Sequence, residues 1–148
     1  MMSKDVLRVE GRVRIRVFKL GRLERDSCSR NTITSAGKAW LSKLMVGQAE
    51  DSLLYCGVGS SDREPSEGDT DLVSPIGQRK PSSDRFTTNN VATISTFFGS
   101  QDNNGVWREV GLFTKETGGV MFARALIDPP ITKDETKTVT VDWDVTVG

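Results

Sequence analysis

Residues 138–147 alternate without a break, with Val139, Val141, Trp143, Val145 and Val147 at one parity and Thr138, Thr140, Asp142, Asp144 and Thr146 at the other. Successive side chains of a strand point to opposite faces, whereas a helix would scatter these apolar residues around its circumference. The segment therefore reads as a strand with one face seeking a core and the other seeking water or a partner. Two earlier runs in the last third, residues 105–113 and 118–126, are also dense in Val, Phe and Trp and are bounded by Gly, Pro or charge. With residues 138–147 they predict three successive antiparallel strands.

The same period recurs near the start. Val9, Gly11, Val13, Ile15 and Val17 oppose Glu10, Arg12, Arg14, Arg16 and Phe18, which places a ladder of arginines on one face of a strand. Like charges two residues apart repel unless water or acid screens them. That face is either solvated or paired with acid, and Asp142 and Asp144 are the candidate partners, within one subunit or between two. A turn centred near Gly21 returns the chain into a short second strand, and residues 26–31 are polar enough to predict a loop.

One helix is predicted, over about residues 35–46. Thr34 or Ser35 supplies the N-cap, Ala36, Trp40 and Leu44 recur at four-residue spacing, and Gly47 supplies the stop. Trp40 is expected to plug one end of the β core. Residues 52–58 read as a strand leaving through Gly57-Val58-Gly59-Ser60-Ser61. No Gly-Lys-Ser/Thr follows, so those glycines are expected to let the chain leave sharply and not to cradle a phosphate.

A long loop is predicted over about residues 60–85. It carries Asp62, Glu64, Glu67, Asp69 and Asp71, acids that do not match the spacing of an EF-hand calcium loop. Asn89-Asn90 predicts a turn, and residues 91–113 predict a hairpin about the turn at 101–105. Thr117-Gly118-Gly119 turns the next hairpin, and Pro129-Pro130 predicts a crossover or an edge before Ile131. The sum is a mainly β chain: an antiparallel β-sandwich or jelly-roll-like barrel of about seven or eight strands with one short α-helix. Residues 1–30 are expected to form an N-terminal β-hairpin or arm, and residues 31–148 the sandwich domain.

The chain contains no histidine, which removes the Ser-His and Cys-His dyads and the commonest metal ligand. No catalytic, cofactor-binding or metal-ligating residue is assigned, and the expectation is a non-enzymatic protein. Cys28 and Cys56 lack metal or disulfide spacing and are expected to be reduced thiols. No run is long and apolar enough for a membrane span, and the start does not resemble a signal peptide, so a cytoplasmic origin is expected. Residues 1–43 carry eleven Lys/Arg against four Asp/Glu, and the remainder nine against sixteen, a split of +7 and −7 that suits head-to-tail pairing of copies. With so acidic a remainder, nucleic-acid binding is not expected.

Glu109 and Arg124 sit inside apolar runs, where a charge needs a partner. They either pair with each other across adjacent strands or point outward.

Taken together, Asn31-Thr32-Ile33-Thr34-Ser35-Ala36-Gly37, Tyr55-Cys56-Gly57-Val58-Gly59-Ser60, Trp107-Arg108-Glu109-Val110-Gly111-Leu112-Phe113, Met121-Phe122-Ala123-Arg124-Ala125 and the closing Val-Asp-Trp-Asp-Val-Thr-Val strand resemble small structural proteins of tailed bacteriophages. The Gly57-Val58-Gly59 turn and the Glu109-Val110-Gly111-Leu112-Phe113 strand are similar to phrases in tail-collar fibre proteins. The resemblance implies a non-enzymatic virion component, assembled in the host bacterial cytoplasm from many identical copies. Shortness favours a compact add-on to a shell or neck over a fibre.

The expected role is a capsid decoration or cement protein, a homo-oligomer (trimer or dimer) attached to the major capsid protein. The alternatives are a tail, neck or collar component that adapts a fibre, and a carbohydrate-binding receptor module using Trp107, Trp143, Tyr55 and Phe113. The expected interface residues are Arg12, Arg14, Arg16, Asp142, Asp144, Trp107, Glu109 and Arg124, with no cofactor, nucleic acid or membrane involved.

Overall fold

A computed structural model describes residues 6–148. Among them the chain forms ten strands and one helix: β1 (Val9–Lys19), β2 (Arg22–Arg30), β3 (Thr32–Ile33), α1 (Ser35–Met45), β4 (Tyr55–Gly59), β5 (Lys80–Pro81), β6 (Asp84–Thr88), β7 (Val91–Phe98), β8 (Gly105–Phe113), β9 (Met121–Lys133) and β10 (Lys137–Val147). They make two antiparallel five-stranded sheets, ordered β2-β1-β10-β7-β6 and β3-β9-β8-β4-β5. The fold is a β-sandwich. Its strand count exceeds the expected seven or eight because two edge pieces, β3 and β5, are only two residues long and carry no periodicity to read.

The alternating faces meet as their period dictates. Val13, Ile15 and Val17 of β1 and Val139, Val141, Trp143 and Val145 of β10 are buried in one core with Val58, Val110 and Leu112 of the other sheet. Contacts between sheets are specific: Phe98 of β7 meets Trp107 of β8 edge to face at 4.9 Å, and the Trp143 indole donates to Cys56 Sγ at 3.5 Å. Edge-to-face geometry sets a ring's positive rim against its neighbour's negative face. Both cysteines are free thiols: Cys28 is exposed and Cys56 buried, where desolvation pushes the thiol up to about 12.

The helix begins where its cap is best satisfied. Thr34 Oγ1 accepts from Gly37 N at 2.9 Å, and Gly47 follows the helix in the left-handed region at φ 74°. Trp40 is 7% exposed and packs on Phe122 of β9, closing part of one end of the core as expected.

Four expectations are corrected. Residues 26–31 are not a loop, because β2 continues to Arg30 as an edge strand whose mostly exposed positions need no apolar alternation. Residues 91–113 are not a hairpin: β7 pairs with β10 and β6, β8 pairs with β9 and β4, and the turn between them crosses from one sheet to the other.

Pro129-Pro130 marks no crossover, but the expected edge is there: β9 pairs with β3 only at Ala123 and Arg124, so no described strand flanks the prolines on that side. β9 pairs with β8 at Leu126 and again at Ile131, so the prolines occupy a bulge that frees them from donating to the ladder. The crossing to β10 comes later, at residues 134–136. Finally, the N-terminal hairpin is not an arm beside the sandwich. β1 lies between β2 and β10 with Val13, Ile15 and Val17 in the core, while residues 1–5 of the expected arm lie outside the described residues.

The crossing turn between β7 and β8 is held by charge. Asp102 accepts from Gly99 N at 2.7 Å and pairs with Lys80 at 3.1 Å, while Lys133 Nζ donates to Gly99 O and Asn104 Oδ1, both at 2.7 Å. The backbone hydrogen bond from Gly99, aided by Lys80, holds the Asp102 carboxyl below the usual carboxylate range. A depressed folded-state value adds stability above the ordinary aspartate range, and that stability is lost as pH falls through the folded value. Asp102→Asn is therefore expected to lower the urea midpoint at neutral pH and to shrink its further fall on acidification, measured over a pH series from about 7 to about 3.

Candidate functional site

The long loop, residues 60–79, does not stand away from the protein. It lies over the outer face of the β3-β9-β8-β4-β5 sheet, where Leu72 packs with Phe113 and Met121 in a second buried cluster flanked by Tyr55. Beneath it sit the two charges the sequence placed inside apolar strands. A break in register between Trp107 and Glu109 sends the Trp107 ring into the core while Glu109 meets the loop.

Glu109 and Arg124 are both fully buried, and they pair with each other: Arg124 Nε donates to Glu109 Oε1 at 3.1 Å. Glu109 also accepts three loop amides, from Val73 at 2.9 Å on Oε1 and from Ser74 at 2.8 Å and Ser61 at 3.2 Å on Oε2. A carboxylate offers about four lone-pair positions, and all are filled. Arg124 Nη1 reaches Asp69 Oδ2 at 3.4 Å, and Asp69 is held in turn by Ser66 N at 2.9 Å and Arg63 Nη2 at 2.8 Å. Arg124 Nη2 is buried without a hydrogen-bond partner among the described residues.

The glycines of β4 serve this docking. A Cβ on Gly59 would come within 2.5 Å of both Glu109 Oε2 and Ser74 O, and one on Gly57 would press on Phe113 and Leu72. They do not turn the chain out of the strand, as the sequence reading expected; both lie within β4, and close approach of the loop is what requires them. Arg79 completes the contact with its guanidinium 3.5 Å from the Phe113 ring centre, a cation–π geometry, and Nη1 donates to the carbonyls of Lys115 and Gly118 at 2.8 Å each.

The acids of the loop do not converge on a common point. Asp69 turns inward to Arg124, Asp71 pairs with Arg79 at 3.3 Å, and Glu67 pairs with Lys38 at 3.0 Å.

The arginine ladder lies on the outer face of the other sheet, in the register expected of it: Arg12 stands opposite Asp144 and Arg14 opposite Asp142. The ion pairs are offset from that register. Arg16 Nη2 binds Asp142 at 2.8 Å, and Arg14 forms a fork with Asp26 of β2, Nε to Oδ1 at 2.9 Å and Nη2 to Oδ2 at 2.7 Å. The hydrogen bond from Arg14 holds the Asp26 carboxyl below its usual range.

Asp142 and Asp144 also accept the Ser95 and Thr93 hydroxyls at 2.6 and 2.7 Å. Arg12 is exposed, has no carboxylate in ion-pair range among the described residues, and faces Arg30 in the β1–β2 register. Solvent screens the exposed Arg14–Asp26 pair, which acts mainly on register.

Of the four aromatic rings that a sugar-binding alternative would need exposed, three are unavailable. Trp107, Trp143 and Phe113 are fully buried, and Trp107 Nε1 is committed to Asn103 O at 2.7 Å. Tyr55 is half-buried.

Sequence reasoning reached Glu109 and Arg124 because a charge in an apolar run is conspicuous. It missed Asp69, Arg63 and Leu72, whose place is set by a loop path that no local period encodes. No known family profile matches the chain, and no characterised protein matches it in sequence.

Replacing Arg124 with Met leaves the Glu109 carboxylate buried without its cation and Asp69 with Arg63 alone. The expected loss is about 3–5 kcal/mol of unfolding free energy. Arg124→Met combined with Glu109→Gln should lose less than the sum of the two single substitutions, a coupling read from a double-mutant cycle in urea.

Proposed function

We propose that this protein is a non-enzymatic structural component of a bacteriophage virion, a decoration or cement protein that stabilises a shell by contacts repeated over many copies. The observation that carries the reading is where the motifs resembling phage structural proteins fall. Tyr55–Gly59, Gly105–Phe113 and Met121–Lys133 are adjacent strands of one sheet, and their Gly59, Glu109 and Arg124 together pin the long loop. Residues dispersed in the sequence thus form one structural unit, a face stiffened by a docked loop.

A filled Glu109 carboxylate suits anchoring and leaves no lone pair for proton transfer. A rigid face suits attachment, because little conformational entropy is lost when it binds. Many weak copies on a symmetric lattice then add up to durable association. A neck, collar or tail component would use the same fold, and copy number separates the two. The sugar-binding reading loses its support with Trp107, Trp143 and Phe113 in the core.

The test is quantitative mass spectrometry of purified virions, with the protein counted against the major capsid protein. The decoration reading expects copies in simple proportion to shell subunits. A ring's worth per particle would move the protein to the neck or tail, and absence from the particle would overturn the proposal.

A further inference from the structure

The turn that crosses from β7 to β8 encloses a lysine in an unusual setting. Lys133, the last residue of β9, is 2% exposed. Its Nζ reaches Gly99 O and Asn104 Oδ1 at 2.7 Å each, with Ser100 O at 3.4 Å and Asp134 O at 3.5 Å. All four acceptors are neutral carbonyl oxygens, whereas a buried charge is ordinarily paired with an opposite one. Burial pushes the amine below the ordinary lysine range, and the charges of Asp102 and Asp134 offset this only in part. Asp102 is itself paired with Lys80 at 3.1 Å, and Asp134 feels Lys137 and Lys19. Lys133 therefore carries a larger neutral fraction than an exposed lysine, and a neutral amine is a nucleophile.

The group it faces is an electrophile. Gly105 stands opposite Lys133 in the β8–β9 register, so the backbone fixes Asn104 beside the lysine. Asn104 Nδ2 donates to Ser100 O at 3.1 Å, which orients the carboxamide with its oxygen toward Nζ. A carbonyl carbon lies about 1.2 Å from its oxygen, so Nζ stands within about 4 Å of Asn104 Cγ. Reacting atoms need to approach to about 3–3.5 Å, a small side-chain rotation from there.

We propose that Lys133 and Asn104 join in a spontaneous isopeptide bond. The ammonium first gives one proton to solvent. Neutral Nζ then attacks Cγ, the Nζ–Cγ bond forms and the Cγ–Nδ2 bond breaks, and a second proton passes from Nζ to the departing nitrogen, which leaves as ammonia. No oxidant, reductant or further reactant is consumed. Asn104 is exposed, so the ammonia escapes to solvent and a small neutral fraction of Lys133 is enough to draw the reaction forward. The bond ties the start of β8 to the end of β9 and removes freedom from the unfolded chain, as a disulfide does. It concerns this turn alone and stands or falls separately from the virion reading.

The test is the intact mass of the purified full chain after incubation at about pH 9, which raises the neutral fraction of the lysine, followed by a tryptic map. The expected result is a mass lower by one ammonia, with residues 86–108 linked to residues 125–137 and no cleavage after Lys133. Asn104→Ala changes an exposed side chain, leaves the lysine in place, and should keep its full mass. An unmodified chain that also keeps its full mass overturns the proposal. So does a loss of ammonia without the linked peptides, which would be a succinimide made by attack of Gly105 N on Asn104, and so does a loss of ammonia that persists in Asn104→Ala.

Discussion

A guanidinium with no access to water holds this structure's most irregular segment in place. Removing Arg124 from solvent costs several kcal/mol unless the charge is met by acceptors of good geometry. Glu109 and Asp69 meet it, one from the neighbouring strand and one from the loop itself. The loop bridges β4 at Gly59 and Pro75, where Ile76 N donates to Val58 O, and three further loop amides end on the same glutamate. Buried N–H groups must be paired, so the one carboxylate answers two demands at once: it neutralises the arginine and pairs amides that no strand meets.

Much of the surrounding architecture follows from that junction. Gly57, Gly59 and Gly111 lack side chains where the loop comes closest: Leu72 fills the space at Gly57 and Gly111, and Glu109 and Ser74 O fill it at Gly59. Arg79 stacks on Phe113 and ties the loop to the β8–β9 turn. One sheet therefore carries a third layer. The other exposes a charged outer face on which Arg14, Arg16, Asp26 and Asp142 are matched within the chain. Contacts with a partner across that face would fall to Arg12, the one arginine of the ladder without a carboxylate among the described residues, and would be sensitive to salt.

What could be read in the residues was whatever repeats with a period. β1 and β10 alternate over their whole length because each has one buried and one outer face, and their pairing brings Arg12 and Arg14 opposite the two aspartates. Thr34 and Gly47 bracket α1 by local chemistry alone. The failures are places where tertiary position overrides pattern. β2 is polar because it is an edge, and the turn at 101–105 has hairpin composition yet joins two sheets. Pro129-Pro130 lies at an edge, as its composition says, but in a bulge of β9 and not at a crossover. At the site, half the ion network was legible, since Glu109 and Arg124 violate the apolar character of their strands. Asp69 was not, since in a loop an acid violates nothing.

Residues 60–79 belong to the folded core although they contain no helix or strand. Hydrogen exchange tests this most directly, by following the amides of Ser61, Val73 and Ser74, which donate to Glu109. Their protection should match that of the central strands β8 and β10 and open only with global unfolding. Exchange as fast as that of the exposed turn at Glu116 and Thr117 would contradict the claim that the buried arginine and glutamate hold the loop.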